Sequence, residues 1–169
     1  MKRKGFTLLE VIIAVFIMVV GTGAAFALIQ QTLSATPVIK DKLIAAYLAQ
    51  EGIEIIRNMR DSAWLASRGD PNVKWDDYIP EGDWQADYTA DRLENNYNGA
   101  FLNIDSNGFY SYSFGTATHF KRKINIQKEN LDADIDPEKI NISVRIDWSE
   151  KGRDHYFEAS ESIQNWYGE

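Results

Sequence analysis

The chain has 169 residues, of which 44% are hydrophobic and 25% are charged, so it is long enough for one modest domain with a real core. Lysine and arginine total 18 against 25 aspartates and glutamates, and the net charge of −7 disfavours non-specific binding of nucleic acid. Cysteine is absent, which excludes disulfide bonds, thiolate metal sites and a cysteine nucleophile.

The N-terminus changes abruptly from basic to apolar. Lys2, Arg3 and Lys4 precede a stretch without a charged residue over positions 11–29. A stretch of this length is typical of a membrane-spanning helix, and the cations before it predict that the N-terminus stays inside. Three interpretations are open: a secretory signal peptide cut near Ala27, a permanent single-pass anchor, and a short leader cut just ahead of the helix.

Glu10 favours the short leader. A carboxylate costs about 2.5–3.5 kcal/mol at the bilayer centre and less near the interface, and neither a signal peptide nor a simple anchor needs one. Cleavage between Gly5 and Phe6 would make the α-amino group of Phe6 a cation, which the Glu10 side chain of a neighbouring copy can pair with. We therefore predict that Glu10 sets the register between packed helices.

Residues 4–11, Lys-Gly-Phe-Thr-Leu-Leu-Glu-Val, resemble the prepilin cleavage and N-methylation signature of type IV pilins and type II secretion pseudopilins. The resemblance implies that a prepilin peptidase cuts between Gly5 and Phe6, that Phe6 is N-methylated, and that Glu10 docks neighbouring subunits. It implies a structural subunit rather than an enzyme. Its partners would be the prepilin peptidase, other pilin or pseudopilin subunits, the inner-membrane assembly platform and the lipid bilayer.

The same resemblance implies storage as a single-pass inner-membrane protein, followed by assembly into an extracellular or periplasmic filament. We predict no catalytic residue, no cofactor and no metal. The predicted segments are a leader over residues 1–5, a transmembrane and assembly helix over 6–29, an amphipathic second half of that helix over 30–62, and a loop-and-sheet domain over 63–169.

Three residues are expected to disturb the long helix. Gly21 and Gly23 lower its propensity by about 1 kcal/mol each relative to alanine, which indicates local unwinding there or, equally, small residues that let neighbouring helices approach closely; the two interpretations are compatible. Pro37 lacks an N–H group and its ring clashes with the preceding turn, which predicts a kink or a short interruption.

The second half of the helix carries an apolar stripe that is expected to pack on the sheet. Ile53 lies opposite this stripe and is predicted to be exposed. Residues 48–54, Leu-Ala-Gln-Glu-Gly-Ile-Glu, also resemble a pattern of minor pilins and minor pseudopilins of the PilV and GspI kind. The stripe consists of Ile44, Tyr47, Leu48, Ile55 and Met59.

The C-terminal part has the pattern of an antiparallel sheet preceded by a loop over residues 62–98. Residues 140–148 alternate most regularly, with the apolar side chains of this strand all on one face. Asn107-Gly108 and residues 150–153 are typical hairpin turns. The predicted fold class is α+β and pilin-like, a long N-terminal helix packed on a C-terminal antiparallel sheet. The predicted strands are 100–104, 109–114, 119–127, 140–148 and 155–163.

Two acidic segments resemble calcium sites only in part. Asn103, Asp105 and Asn107 imitate the start of a calcium loop, but Phe114 occupies the position of the required glutamate, so a hairpin turn is favoured. A site built from the aspartates at positions 132, 134 and 136 stays open, with a solvated acidic loop as the favoured interpretation.

Two further features suggest binding. The basic run at residues 119–123 would be divided between the two faces of a strand, so nucleic acid is disfavoured as a partner. The alternative function is that of a membrane-anchored adhesin, which would bind glycans through exposed aromatic side chains. Trp75 and Trp84, in the loop region, are the candidate ligand contacts.

Overall fold

The computed structural model describes Gly5 and residues 7–129 and 139–165, which form one helix and seven strands. The helix α1 spans Leu8–Ser67, so it continues past the predicted end at residue 62. The strands are β1 (Gly82–Trp84), β2 (Asn103–Ile104), β3 (Tyr110–Ser111), β4 (Thr116–Ala117), β5 (Lys121–Glu129), β6 (Lys139–Glu150) and β7 (Arg153–Gln164).

The strands form two antiparallel sheets. The larger has the order β1-β5-β6-β7, and the smaller has the order β3-β2-β4. The predicted α+β, pilin-like architecture is confirmed. Strands β1 and β4 were not predicted, and β2 and β3 are shorter than the predicted strands 100–104 and 109–114, because an alternating pattern does not give the bounds of strands of two or three residues.

The helix runs through all three residues that were expected to disturb it. Gly21, Gly23 and Pro37 are all helical, so the helix is neither unwound at the glycines nor interrupted at Pro37, and the predicted interruption is wrong. A proline removes only one backbone hydrogen bond, the one to the carbonyl of Leu33, and the turns on either side keep theirs. Next to this gap the Thr36 hydroxyl donates to the carbonyl oxygen of Thr32 at 3.0 Å, a local hydrogen bond that helices tolerate.

The chain divides into two compact units, Met1–Asp41 and Lys42–Glu169. In the second unit the helix packs on the larger sheet, as predicted, and the core combines helix, strand and loop side chains. The inward side chains of β6 are all buried: Ile140, Ile142, Val144, Ile146 and Trp148.

The helix face that meets the sheet differs from the predicted stripe. Leu48, Ile55 and Met59 are buried as expected, but Tyr47 is 64% exposed and Ile53 is buried, so both of these predictions are wrong. The observed face follows a four-three spacing of mostly small residues, which the search for large apolar side chains overlooked. Its members are Ala45, Ala49, Gly52, Ile56, Met59 and Ala63.

Both predicted turns are present. Lys151 and Gly152 have φ values of 50° and 75°, as a two-residue type I′ hairpin requires, and they join β6 to β7. Between β2 and β3 the Asp105 carboxylate accepts hydrogen bonds from the N–H groups of Asn107 and Phe109, at 2.8 and 2.9 Å. The favoured interpretation of this segment as a hairpin turn is therefore confirmed, while the aspartates at 132, 134 and 136 lie outside the described residues.

Candidate functional site

The helix begins with a capping arrangement inside the prepilin-like motif. The first helical residue is Leu8, and the Glu10 N–H donates to the Thr7 hydroxyl oxygen at 3.3 Å. Thr7 is thus the N-cap and Glu10 the third helical residue, the spacing of a capping box. The Thr-x-x-Glu sequence of residues 7–10 is the signal for a capping box, which was not among the predictions.

The position of Glu10 also suits the charge distribution of the helix. A carboxylate in the first turn interacts favourably with the positive end of the helix macrodipole. Gly5, immediately outside the helix, is exposed, and Phe6 lies outside the described residues. Any role of Glu10 between subunits therefore has to be separated experimentally from its role in starting its own helix.

Large apolar side chains are exposed all along the first part of α1, up to residue 36. Every described residue from 7 to 36 is exposed, among them Val15, Phe16 and Leu33 at 54%, 67% and 62%. Within the described residues, α1 is the one helix long and apolar enough to cross a membrane. The Thr22 and Thr32 hydroxyls donate to carbonyls one turn back, at 2.8 and 3.0 Å, so their hydrogen-bonding capacity is used within the helix.

Gly52 allows the helix to lie unusually close to the sheet. A Cβ atom added there would lie 2.7 Å from the Val144 side chain of β6 and 3.3 Å from the Arg122 side chain of β5. Real Cβ atoms do not make contacts as short as 2.7 Å, so with any larger residue either the Val144 side chain or the helix must shift. This explains the glycine in the Leu-Ala-x-x-Gly-x-Glu segment as a packing requirement.

We expect Gly52→Ala to lower the free energy of unfolding by about 1–2 kcal/mol. Overpacking costs about 1–3 kcal/mol, which outweighs the roughly 1 kcal/mol gain in helix propensity. Denaturation of the detergent-solubilised chain, followed by tryptophan fluorescence, measures the difference. Combining Gly52→Ala with Val144→Ala is expected to cost less than the sum of the two single changes, and strict additivity would contradict the contact.

Arg122 is the most unusual buried residue of the second unit. Its side chain has no exposed area, and the guanidinium donates to the backbone carbonyls of Leu48 at 3.2 Å and Ala86 at 2.7 Å. It also lies 3.4 Å from a carboxylate oxygen of Glu51. Arg122 therefore connects the helix, the sheet and the loop region through one planar cation.

The basic run that contains Arg122 is divided as predicted. Lys121 and Lys123 are half-buried and lie on the face opposite Arg122. Of these three cations, only Arg122 points into the core. Strand alternation therefore leaves no continuous basic patch in this run. The division of the basic run between two faces was predicted, but the burial of Arg122 was not, because burial of an arginine depends on hydrogen-bond acceptors that only the fold brings together.

The Asp87 carboxylate ties two loop segments together beside this cation. It accepts hydrogen bonds from the Thr89 hydroxyl at 2.6 Å and from the Tyr112 N–H at 2.8 Å. Burial acts to raise the pKa of Asp87, but these hydrogen bonds and the Arg122 charge together hold it below the ordinary value. Burial also raises the pKa of Tyr112 to about 12, and its hydroxyl donates to the Arg122 carbonyl at 3.0 Å.

The lowered pKa of Asp87 predicts acid sensitivity of the second unit. A depressed folded-state pKa contributes stability above the unfolded value of about 4, and this contribution disappears as the pH falls through the folded-state pKa. Asp87→Asn is expected to destabilise the unit at neutral pH and to flatten the loss of stability between neutrality and about pH 3. Unfolding midpoints measured across this range test it, with Asp91→Asn as the control because Asp91 is 89% exposed. Equal pH profiles for Asp87→Asn and the unaltered chain would contradict the role of Asp87.

Neither predicted tryptophan is a freely exposed ligand contact. Trp75 is only 4% exposed and stacks on Trp64 at a centroid distance of 6.4 Å, so the expectation that its ring is exposed is wrong. Trp84 lies in β1 opposite Ile124 and packs against the hydrophobic core, with partial burial. Both rings contribute to the packing of the core, a common role of large aromatic side chains in a small domain.

One comparison with known proteins identifies a family signal. A family model described as the prokaryotic N-terminal methylation motif matches residues 1–26. The chain carries a prepilin-type N-terminal methylation signal. The matched residues include Gly5, Phe6 and Glu10. No match was found among curated proteins or among solved structures.

Proposed function

We propose that the chain is a structural subunit, a minor pilin or a pseudopilin, that assembles into a filament of a type IV pilus or a type II secretion system. The match of residues 1–26 to the methylation motif carries this proposal. An exposed apolar helix directly after the motif supports it, because such a helix is soluble only in lipid or among other helices. The subunit has no catalytic activity of its own.

In this proposal one surface serves two purposes. Before assembly, residues 6–29 lie in the inner membrane with the basic leader, residues 1–5, on the inner side. During assembly, the same apolar side chains exchange lipid for the helices of neighbouring subunits, so membrane storage and filament cohesion use the same contacts. Residues 30–62 continue this helix and join it to the domain of residues 63–169.

The helix composition fits this exchange. A Cβ atom added at Gly21 or Gly23 would meet nothing within 4 Å, so these positions leave room for a close approach by another helix. The threonine hydroxyls in this stretch bind their own backbone and therefore add little polar cost in lipid or in a packed array. The carboxylate of Glu10 then supplies the polar contact that distinguishes one register from another.

Processing at Gly5 is tested by Gly5→Val, which is expected to leave the basic leader attached in nearly all molecules. In the prepilin signature that residues 4–11 resemble, a glycine precedes the scissile bond. A branched side chain at Gly5 would obstruct the approach of the peptidase. N-terminal sequencing and intact mass of protein purified from membranes measure the product. The unaltered chain is expected to start at Phe6 with the added mass of one methyl group.

Gly21→Val is the matched control, because it places the same side chain in a position with free space around it. It is expected to be processed normally. A start after Ala27 would indicate a signal peptide, and retention of Met1 in the unaltered chain would indicate a permanent anchor. Either result, or normal shortening of Gly5→Val, would contradict the proposed processing.

A further inference from the structure

A cavity of about 470 Å³ lies at the end of the larger sheet near the β6–β7 hairpin. Cavities of about 300–1,000 Å³ are typical of small-ligand sites. Its walls come from neighbouring positions of three paired strands and from the segment before β2. In the strand register, Lys121 lies opposite Asp147, and Ser149 lies opposite Asp154.

The cavity has an aromatic wall. The rings of Trp148 and His155 stack at a centroid distance of 5.6 Å and an interplanar angle of 21°. The Phe101 ring also lines the cavity, is 50% exposed, and holds the Lys121 ammonium 4.6 Å from its centroid. Trp148 is only 4% exposed, so the flat apolar surface next to the polar groups comes mainly from Phe101, and such a combination fixes the orientation of a small ligand.

The polar groups of the cavity are balanced in charge. Arg145 donates to the Asp147 carboxylate at 2.9 Å, and Lys121 and Asp154 supply one further charge of each sign. Within the part of the chain that the structure describes, the Asp154 side chain has no ion-pair or hydrogen-bond partner. Ser149 adds a hydroxyl that can both donate and accept.

This combination identifies the class of ligand. An anion would require an excess of cations, which the two carboxylates cancel, and the net charge of −7 also repels polyanions. Hydrogen-bond donors and acceptors around the half-exposed Phe101 ring instead suit a molecule with many hydroxyls and an apolar C–H face. We propose that this cavity binds a neutral saccharide, with the sugar ring on Phe101 and its hydroxyls on Asp154 and Ser149.

The site does not depend on the filament proposal, and it differs from the glycan contacts expected at Trp75 and Trp84. It uses the half-exposed ring of Phe101 instead of Trp75, which the fold buries, and Trp84, which is partly buried. The saccharide would be recognised at the end of the sheet.

The test is binding of chitohexaose and of cellohexaose to the full chain in micelles of a detergent without a sugar headgroup, measured by saturation-transfer difference NMR. Phe101→Ala and Asp154→Asn are each expected to weaken binding at least tenfold. Phe109→Ala is the matched control, because Phe109 is 56% exposed and does not line this cavity, and it is expected to bind as the unaltered chain does. A heparin hexasaccharide is the anionic comparison.

Two sets of results would overturn the proposal. The first is no signal from either neutral oligosaccharide, or a signal from the heparin hexasaccharide alone. The second is Phe101→Ala binding as tightly as Phe109→Ala. Saturation transfer to the C–H protons of a neutral sugar that requires both Phe101 and Asp154 would support the assignment.

Discussion

Glu10→Gln is expected to lower incorporation into filaments by about tenfold or more while membrane insertion and cleavage continue. Glutamine at the third helical position keeps a capping-box residue, so the start of the helix loses only the macrodipole interaction of the carboxylate, about 0.3–1 kcal/mol. The larger loss is a charge-assisted contact to a neighbouring α-amino group, of the order of 1.5–3 kcal/mol. The amount of protein in sheared filaments relative to the membrane pool measures the effect. Glu10→Leu, which removes the polar group entirely, is expected to behave at least as severely.

Thr7→Ala separates the two roles of this motif. It removes the hydroxyl that accepts the Glu10 N–H, at an expected cost of about 1 kcal/mol to the helix, but it keeps the carboxylate. Assembly is therefore expected to survive Thr7→Ala better than Glu10→Gln. If Thr7→Ala abolishes assembly while Glu10→Gln assembles normally, helix capping is the function of this motif, and docking through the charge is wrong.

Arg122→Met is expected to lower the free energy of unfolding of the second unit by about 3 kcal/mol or more. Methionine replaces much of the apolar stem, but the carbonyls of Leu48 and Ala86 lose their donors, at about 1–3 kcal/mol each. Loss of the Glu51 contact adds little, because that carboxylate is about one-third exposed and regains water. Chemical denaturation of the solubilised chain measures the change.

Lys121→Met is the matched control for Arg122→Met. Lys121 is the adjacent residue of the same strand, on the opposite face and half-buried, so its loss is expected to cost less than about 1 kcal/mol. Arg122→Lys is expected to recover only part of the loss, because one ammonium reaches two separate carbonyls less well than a planar guanidinium does. Equal stability of Arg122→Met and the unaltered chain would show that the buried cation is dispensable.

Local patterns predicted the elements with long or regular signals. The alternation over residues 140–148 identified β6. The sequence of residues 150–153 predicted the hairpin turn, in which Lys151 and Gly152 adopt left-handed backbone conformations. The interruption was wrongly predicted at Pro37 because a local penalty was applied without the cooperativity of a 60-residue helix, in which one lost hydrogen bond is a small part of the total.

The orientation of the helix on the sheet was harder to predict. Hydrophobic periodicity gives most weight to large side chains, whereas the contact face contains Ala45, Ala49 and Gly52, whose value is that they let the backbone approach the strands. Ile53 is buried outside that face, in a core to which loop side chains such as Ile79 and Leu93 also belong. A pattern within the helix contains no information about which distant segments cover it.

The amino-acid sequence alone determined the fold class, the methylation signal and the apolar helix, because these depend on residues close together in the chain and on periodicities that an isolated segment already has. Only the tertiary structure decided that Trp75 is buried, that Phe101 stays half exposed, and that Arg122 lies in the core with three partners. The burial of Arg122, for example, depends on Leu48, Ala86 and Glu51, which are far from it in the chain. Exposure and hydrogen bonding of a side chain are set by such remote neighbours, which meet only when the chain has folded.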